Sequence, residues 1–173
     1  LEAGNTADTV DVVDLTGLVT DVAELYEPVA EEAGFRLTWR AEPSIKVDGN
    51  RQLLGQALAN LLDNALKYAA ADAERREIDL LVDTAGDFAR LVTADRGPGI
   101  APQNRERALK RFVRLEQSRS LPGTGLGLSL VAAVVRLHKG SIELEDNGPG
   151  LKVVVMLPLA KSGSDVAKSM DES

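Results

Sequence analysis

Gln56, Asn60, Asn64 and Lys67 recur at spacings of four, four and three residues, which sets three amides and one ammonium along a single helical stripe. A solvated helix face ordinarily carries Glu and Lys. A stripe of amides closed by a lysine is either a merely polar surface or a site for a metal ion and phosphate. An amide oxygen is a neutral, hard ligand, and Mg2+ takes one or two protein oxygens and completes its octahedron with phosphates and water. Asp95-Arg96-Gly97-Pro98-Gly99-Ile100 then puts a carboxylate and two glycines where a strand gives way to a loop. Taken alone it reads first as a strand-end turn, although Gly97 and Gly99 also permit backbone approaches that a Cβ would block. A third cluster, Gly123-Thr124-Gly125-Leu126-Gly127-Leu128, runs directly into a helical segment. Glycines before a helix N-terminus let several N–H groups converge on an anion, helped by the helix dipole. The plainer alternative is a flexible hinge. The spacing is not that of a Walker loop, and no strand immediately precedes it as a dinucleotide-binding turn requires.

The elements that must position these groups follow from the apolar pattern. Thr9–Asp14 reads as a short strand, with Asp14 placed to cap the next helix. From Leu15 to Ala33 apolar residues recur at helical spacing through Leu18, Val19, Val22, Leu25, Tyr26 and Val29, and Gly34 ends the run. Phe35–Ala41 alternates as a half-buried strand and Ile45–Asp48 is a second short one; Asp48 or Asn50 caps the long helix to about Ala70. That helix buries Leu54, Leu58, Leu61, Leu62, Ala65 and Ala69, with the amide stripe opposite. Arg76–Asp83 and Phe88–Ala94 form strands around a turn at Ala85-Gly86-Asp87. The arginine-rich stretch Ala101–Gly123 is expected to be a long mobile loop with a turn or two of helix. Gly125–His138 is a helix, Ser141–Asp146 and Lys152–Leu157 a closing hairpin, and the polar tail beyond Lys161 is expected to be disordered. This order predicts an α/β two-layer sandwich, one mostly antiparallel sheet with helices on one face.

Composition sets the outer limits. The 173 residues are 44% hydrophobic and only 3% aromatic, enough for one domain whose core is Leu, Val, Ile and Ala. The net charge of −7 argues against duplex nucleic acid as a partner. The absence of cysteine removes disulfides, thiolate metal sites and thiol nucleophiles together, and suits a cytoplasmic location. No apolar run approaches the ~20 residues of a membrane span, and no signal peptide opens the chain, so no direct membrane contact is expected.

Together and in this order, the three motifs resemble the N, G1 and G2 boxes of the ATP-binding domain of sensor histidine kinases, within the GHKL ATPase-kinase superfamily. The resemblance runs from about Val10 to Pro158. It implies the Bergerat fold, with a mixed sheet of about five strands, about three helices and an ATP lid near residues 101–122. It implies Asn64 as the Mg2+ ligand, Lys67 at the phosphates, Tyr68 beside the adenine and Asp95 accepting from the exocyclic amine of adenine. Gly97, Gly99 and Ile100 belong to the adenine side, and Gly123, Thr124, Gly125, Leu126, Gly127 and Leu128 line the triphosphate. Lys110-Arg111-Phe112-Val113-Arg114 resembles the family's F box, which makes Arg114 and Arg119 the lid cations, since arginine grips phosphate oxygens in pairs. Asn60, Lys67 and Arg114 are the implied catalytic set. Gyrase-like relatives place a glutamate at the position of Asn60 as general base; an amide cannot take that proton.

The resemblance further implies kinase activity toward a histidine on a separate helical dimerisation domain, of which residues 1–8 would be the end. Residues 9–159 would be the ATP-binding domain and 160–173 a tail. A homodimer in the full protein and a downstream response regulator follow as partners. His138 is expected to be structural. A serine-directed kinase of the anti-sigma type and a nucleotide-binding scaffold without kinase activity stand as alternatives. Two positions depart from the family pattern: Leu151 replaces the usual threonine of the third glycine box, and Ala108-Leu109-Lys110 replaces bulkier and acidic lid residues.

Overall fold

Asp11–Asp14 (β1) passes straight into the first helix, Leu15–Glu32 (α1), because Asp14 Oδ1 accepts the Gly17 N–H at 3.1 Å and so satisfies one of the free donors of the first turn. The computed structural model of the protein describes residues 10–69, 76–110 and 127–161. Helix α1 ends where Gly34 takes φ +84°, with the Phe35 N–H returning to the Ala30 carbonyl at 2.8 Å. Its buried line is Leu15, Leu18, Val19, Ala23 and Ala30, while Leu25 and Val29 are exposed. The small alanines take the core-facing positions as the helix approaches its neighbour, and they turn the two larger side chains outward.

Arg36–Ala41 (β2) and Lys46–Gly49 (β3) follow, then the helix Arg51–Ala69 (α2). Asn50, not Asp48, caps α2, its Oδ1 accepting from the Leu53 N–H at 3.0 Å. Asp48 instead accepts the Lys161 N–H. Glu77–Ala85 (β4) and Phe88–Asp95 (β5) form a hairpin across Gly86-Asp87. A two-turn helix, Pro102–Leu109 (α3), occupies the start of the expected lid, with Ala108 and Leu109 packed on the core. The rest of the expected lid, residues 111–122, lies outside the described residues, as do residues 123–126, residues 1–8 and the tail beyond Lys161. Gly127–Leu137 (α4), Ser141–Asp146 (β6) and Leu151–Pro158 (β7) complete the chain.

The main sheet has the order β2-β4-β5-β7-β6, parallel between β2 and β4 and antiparallel elsewhere. Helices α1, α2 and α4 cover one face and form the core with it. A separate antiparallel pair, β1 with β3, sets Asp11 opposite Gly49 and Asp14 opposite Lys46.

Helices α2 and α4 run antiparallel, and His138 fastens one end of the pair. Its Nε2 accepts the backbone N–H of Asn50 at 3.0 Å, and Nδ1 lies 2.7 Å from the Val134 carbonyl, which requires the proton on Nδ1. The imidazole lies where a Cβ on Gly49 would stand, so that glycine makes room for the ring. The structural role expected of His138 is the one its bonds describe. Lys139, not Gly140, takes the left-handed conformation (φ +61°) at the end of α4. Gly140 is needed because a Cβ there would strike the Met156 carbonyl.

Candidate functional site

Strand β5 explains how a carboxylate comes to be buried. Ala89, Leu91, Thr93 and Asp95 share the helix-covered face; the first two enter the core and the last two are polar yet 3% and 6% exposed. Asp95 is oriented by backbone. Its Oδ1 accepts the Gly97 N–H at 2.9 Å and the Leu151 N–H at 3.1 Å, and Oδ2 makes no hydrogen bond among the described residues. The Asp95 backbone carbonyl accepts the Asn147 side-chain amide at 2.6 Å. Gly150 (φ +115°) presses against that carbonyl so closely that a Cβ would collide with it. A Cβ on Gly99 would in turn come within 2.8 Å of the Gly150 carbonyl, so the two glycine loops interleave around one carboxylate. Burial pushes the Asp95 carboxyl above its ordinary range; the Gly97 and Leu151 N–H groups and the Arg96 charge act the other way. Arg96 is itself held by Asp79 at 2.7 Å, which also accepts from Thr38.

Asn64 lies between α2 and α4 and is 7% exposed, which corrects the expected amide stripe. Gln56 and Lys67 are exposed and Asn60 is half-buried, but α4 covers the flank on which Asn64 stands. The helical period places these residues in line on an isolated helix; only the packing of the second helix divides them. The Asn64 Nδ2 has no hydrogen-bond partner among the described residues. The amide occupies the place of a Cβ on Gly127, the first residue of α4, whose Cβ would come within 2.7 Å of Oδ1. A buried amide with an unpartnered end, against the positive end of a helix, is arranged for a ligand carrying oxygen and negative charge.

One cavity joins the two groups. Asn64, Thr93 and Asp95 supply its polar atoms, and Ile100, Leu128 and Leu151 are among its apolar walls. Of the residues expected from sequence, Asn64, Asp95, Gly99, Ile100 and Leu128 line the cavity. Gly97 bonds Asp95 and Gly127 cradles Asn64. Asn60 and Lys67 lie on the same helix without lining it. The Tyr68 side chain, Arg114, Arg119, Gly123, Thr124, Gly125 and Leu126 lie outside the described residues. Sequence reasoning missed Thr93 and Asn147. The period-two pattern of β5 could have found the first; nothing local marks the second, because the β6–β7 hairpin brings it across 52 positions. A larger depression at the other end of the α2–α4 pair is lined by Val10, Leu53, Leu137, His138 and Pro158 among others, and among the described residues holds none of those expected for nucleotide.

Residues 49–161 match the family described as histidine kinase-, DNA gyrase B-, and HSP90-like ATPase, and that span takes in both Asn64 and Asp95. The chain belongs to this ATPase family. Within it, the domain is similar to the signal transduction histidine-protein kinase/phosphatase MprB of Mycolicibacterium vanbaalenii, 41% identical over an alignment of 134 positions that covers 71% of this chain and 26% of the relative. It is similar to the solved mycobacterial sensor histidine kinase MprB, at 29% identity and a TM-score of 0.74, covering 88% of this chain and 99% of that one. A full-length ShkA structure in complex with AMPPNP is 30% identical with a TM-score of 0.72, over 88% of this chain and 31% of the other. The chain spans about a quarter of the length of the curated relatives it matches first. As a histidine kinase-like ATPase domain, it has the two-layer architecture expected from its sequence. No helix among the described residues is long and apolar enough to cross a membrane.

Proposed function

We propose that the domain binds ATP with Mg2+ and presents the γ-phosphoryl group to a histidine on a helical dimerisation domain of the same protein, with residues 1–8 as the end of that domain and 9–159 as the ATP-binding unit. The observation that carries this reading is the buried Asp95 with its Oδ1 held by two N–H groups and its Oδ2 left for a donor. The exocyclic amine of adenine is such a donor. Guanine presents a carbonyl oxygen at the same place, which a carboxylate repels.

Asn64 is the residue that would hold Mg2+. The two ends of its amide are interchangeable by rotation, so the unpartnered buried end over Gly127 fits a cation with phosphate oxygens around it. When bound, Mg2+ neutralises charge on the phosphates. The N-terminus of α4 receives the triphosphate, Lys67 reaches it from α2, and Arg114 and Arg119 close on it from the lid. Transfer is in-line, and the chain contributes position and charge rather than covalent chemistry. Asn60, being an amide, activates no water, so the site presents ATP to another nucleophile rather than hydrolysing it. That nucleophile is not His138, whose two ring nitrogens are both engaged. The naming of its relatives as histidine kinases favours this reading over a serine-directed kinase or an inactive scaffold. A response regulator receiving the phosphoryl group, dimerisation through the helical domain and a cytoplasmic location complete the proposal.

Calorimetric titration tests it. Mg-ATP and ADP bind and Mg-GTP binds far more weakly, and Asn64→Ala weakens Mg-ATP more than metal-free ADP. Equal affinity for ATP and GTP, or no nucleotide binding by a folded chain, would overturn the reading.

A further inference from the structure

Thr93 is the one hydroxyl among the described residues lining the cavity. It is 3% exposed, stands opposite Leu80 on β4 and Val153 on β7, and its hydroxyl makes no hydrogen bond among the described residues. A valine would fill the same volume between those two apolar neighbours without burying a polar atom. A hydroxyl set in a cavity wall with no partner among the described residues points to a ligand that satisfies it.

The partner follows from position. Thr93 precedes Asp95 by two residues on the same face of one strand, a stride of about 7 Å. Leu151, whose backbone N–H reaches the Asp95 carboxylate from β7, is apolar and brings no side-chain donor. We propose that Thr93 is a second base-reading residue, which donates through one bridging water to the ring nitrogen beside the exocyclic amine that Asp95 receives. In adenine both ring nitrogens flanking that amine are acceptors, so a donor beside an acceptor is the pattern that reads this edge. A water held between Thr93 and the base spans the remaining distance at little loss against a direct bond. This inference rests on the reading of the cavity as an adenine site.

The test compares Thr93→Val and Thr93→Ser with the unaltered chain, by calorimetry with ATP, 1-deaza-ATP and 7-deaza-ATP. Valine keeps the shape and removes the hydroxyl; serine keeps the hydroxyl. Thr93→Val is expected to weaken ATP by about three- to tenfold, the size of one neutral hydrogen bond. It should have no further effect on whichever analogue lacks the nitrogen being read. Thr93→Ser should stay within about twofold of the original affinity. Unchanged ATP affinity in Thr93→Val, or equal weakening of ATP and both analogues, would overturn the role of Thr93 and leave the adenine site standing. Failure of the unaltered chain to bind ATP would instead remove both.

Discussion

The side-chain amide of Asn147 donates to the backbone carbonyl of Asp95 at 2.6 Å, and this bond joins the β6–β7 loop to the end of the central strand. The same loop returns the Leu151 N–H to the Asp95 carboxylate, so one residue is gripped at both its backbone and its side chain. Asn147→Ala removes the first grip. It should lower stability by about 1 kcal/mol, the net worth of such a bond, and weaken ADP several-fold because the second grip loosens. Chemical denaturation and ADP titration of the one variant measure both effects; unchanged ADP affinity would show that Leu151 holds the carboxylate unaided.

Asp95→Asn separates stability from binding. The carboxyl is raised above its ordinary 3.8 by burial, so the folded chain binds that proton more tightly than the unfolded chain. Stability therefore falls as pH rises from the unfolded value through the raised folded one, and stays lower above that window. Asparagine keeps an oxygen for the Gly97 and Leu151 N–H groups and carries no charge. The variant should match or exceed the original in stability at neutral pH and show none of this acid-side gain. A hydrogen bond to a charged group contributes about 1.5–3 kcal/mol, so ATP and ADP should both weaken by roughly ten- to a hundredfold. Urea denaturation across a pH series, with ADP titration at neutral pH, reads both quantities.

Gly49 and His138 should be coupled. His138→Ala leaves the Asn50 N–H without its acceptor and opens a void, at a cost of about 2 kcal/mol. Gly49→Ala places a Cβ in the ring's own position and should cost at least as much. In the His138→Ala background the added methyl finds space, so the double variant should be more stable than the sum of the two losses by about 1 kcal/mol or more. Strict additivity in denaturation experiments would mean that the backbone at Gly49, not the ring, sets the constraint.

Tyr26 reports on the contact between α1 and α2. Its hydroxyl donates to Asp63 Oδ1 at 3.1 Å, and burial together with that carboxylate pushes its ionisation up to about 12. The raised value means that the bond's contribution is intact below pH 10 and is lost as pH rises from 10 toward 12. Ultraviolet titration should show one phenol ionising near 12 that is absent from Tyr26→Phe. Ionisation of Tyr26 near 10 would dissolve the proposed contact.

The parts legible in the sequence are those governed by local period. Alternation in β5 and β7, the 3.6-residue stripe of α2 and the caps at Asp14 and Gly34 all sit within a residue or two of their expected places. Asn64 and Asp95 stand out in the sequence as chemical candidates because amides and carboxylates in such settings are uncommon, and both line the cavity. What escaped depends on distant packing. The burial of Asn64 needs α4 laid across α2, and the grip on Asp95 needs a loop that arrives late in the chain. The outward turn of Leu25 and Val29 is of the same kind: helical spacing admits them to the buried line, and the neighbouring surface chooses Ala23 and Ala30 instead.

The ladder between β1 and β3 gives the site helix a fulcrum. Asp11 pairs with Gly49, one residue before the cap of α2, and His138 pins the same end from the other side. Asn64 stands 14 positions along that helix from Asn50, an arm of about 21 Å. A tilt of about 5° at the cap therefore swings the far end by about 2 Å, and displacements of about 1 Å already separate productive from unproductive geometry in group transfer. On the proposal that Asn64 holds the ligand's metal ion, an angular change at the β1 end is carried along this arm and enlarged by its length before it reaches the ligand.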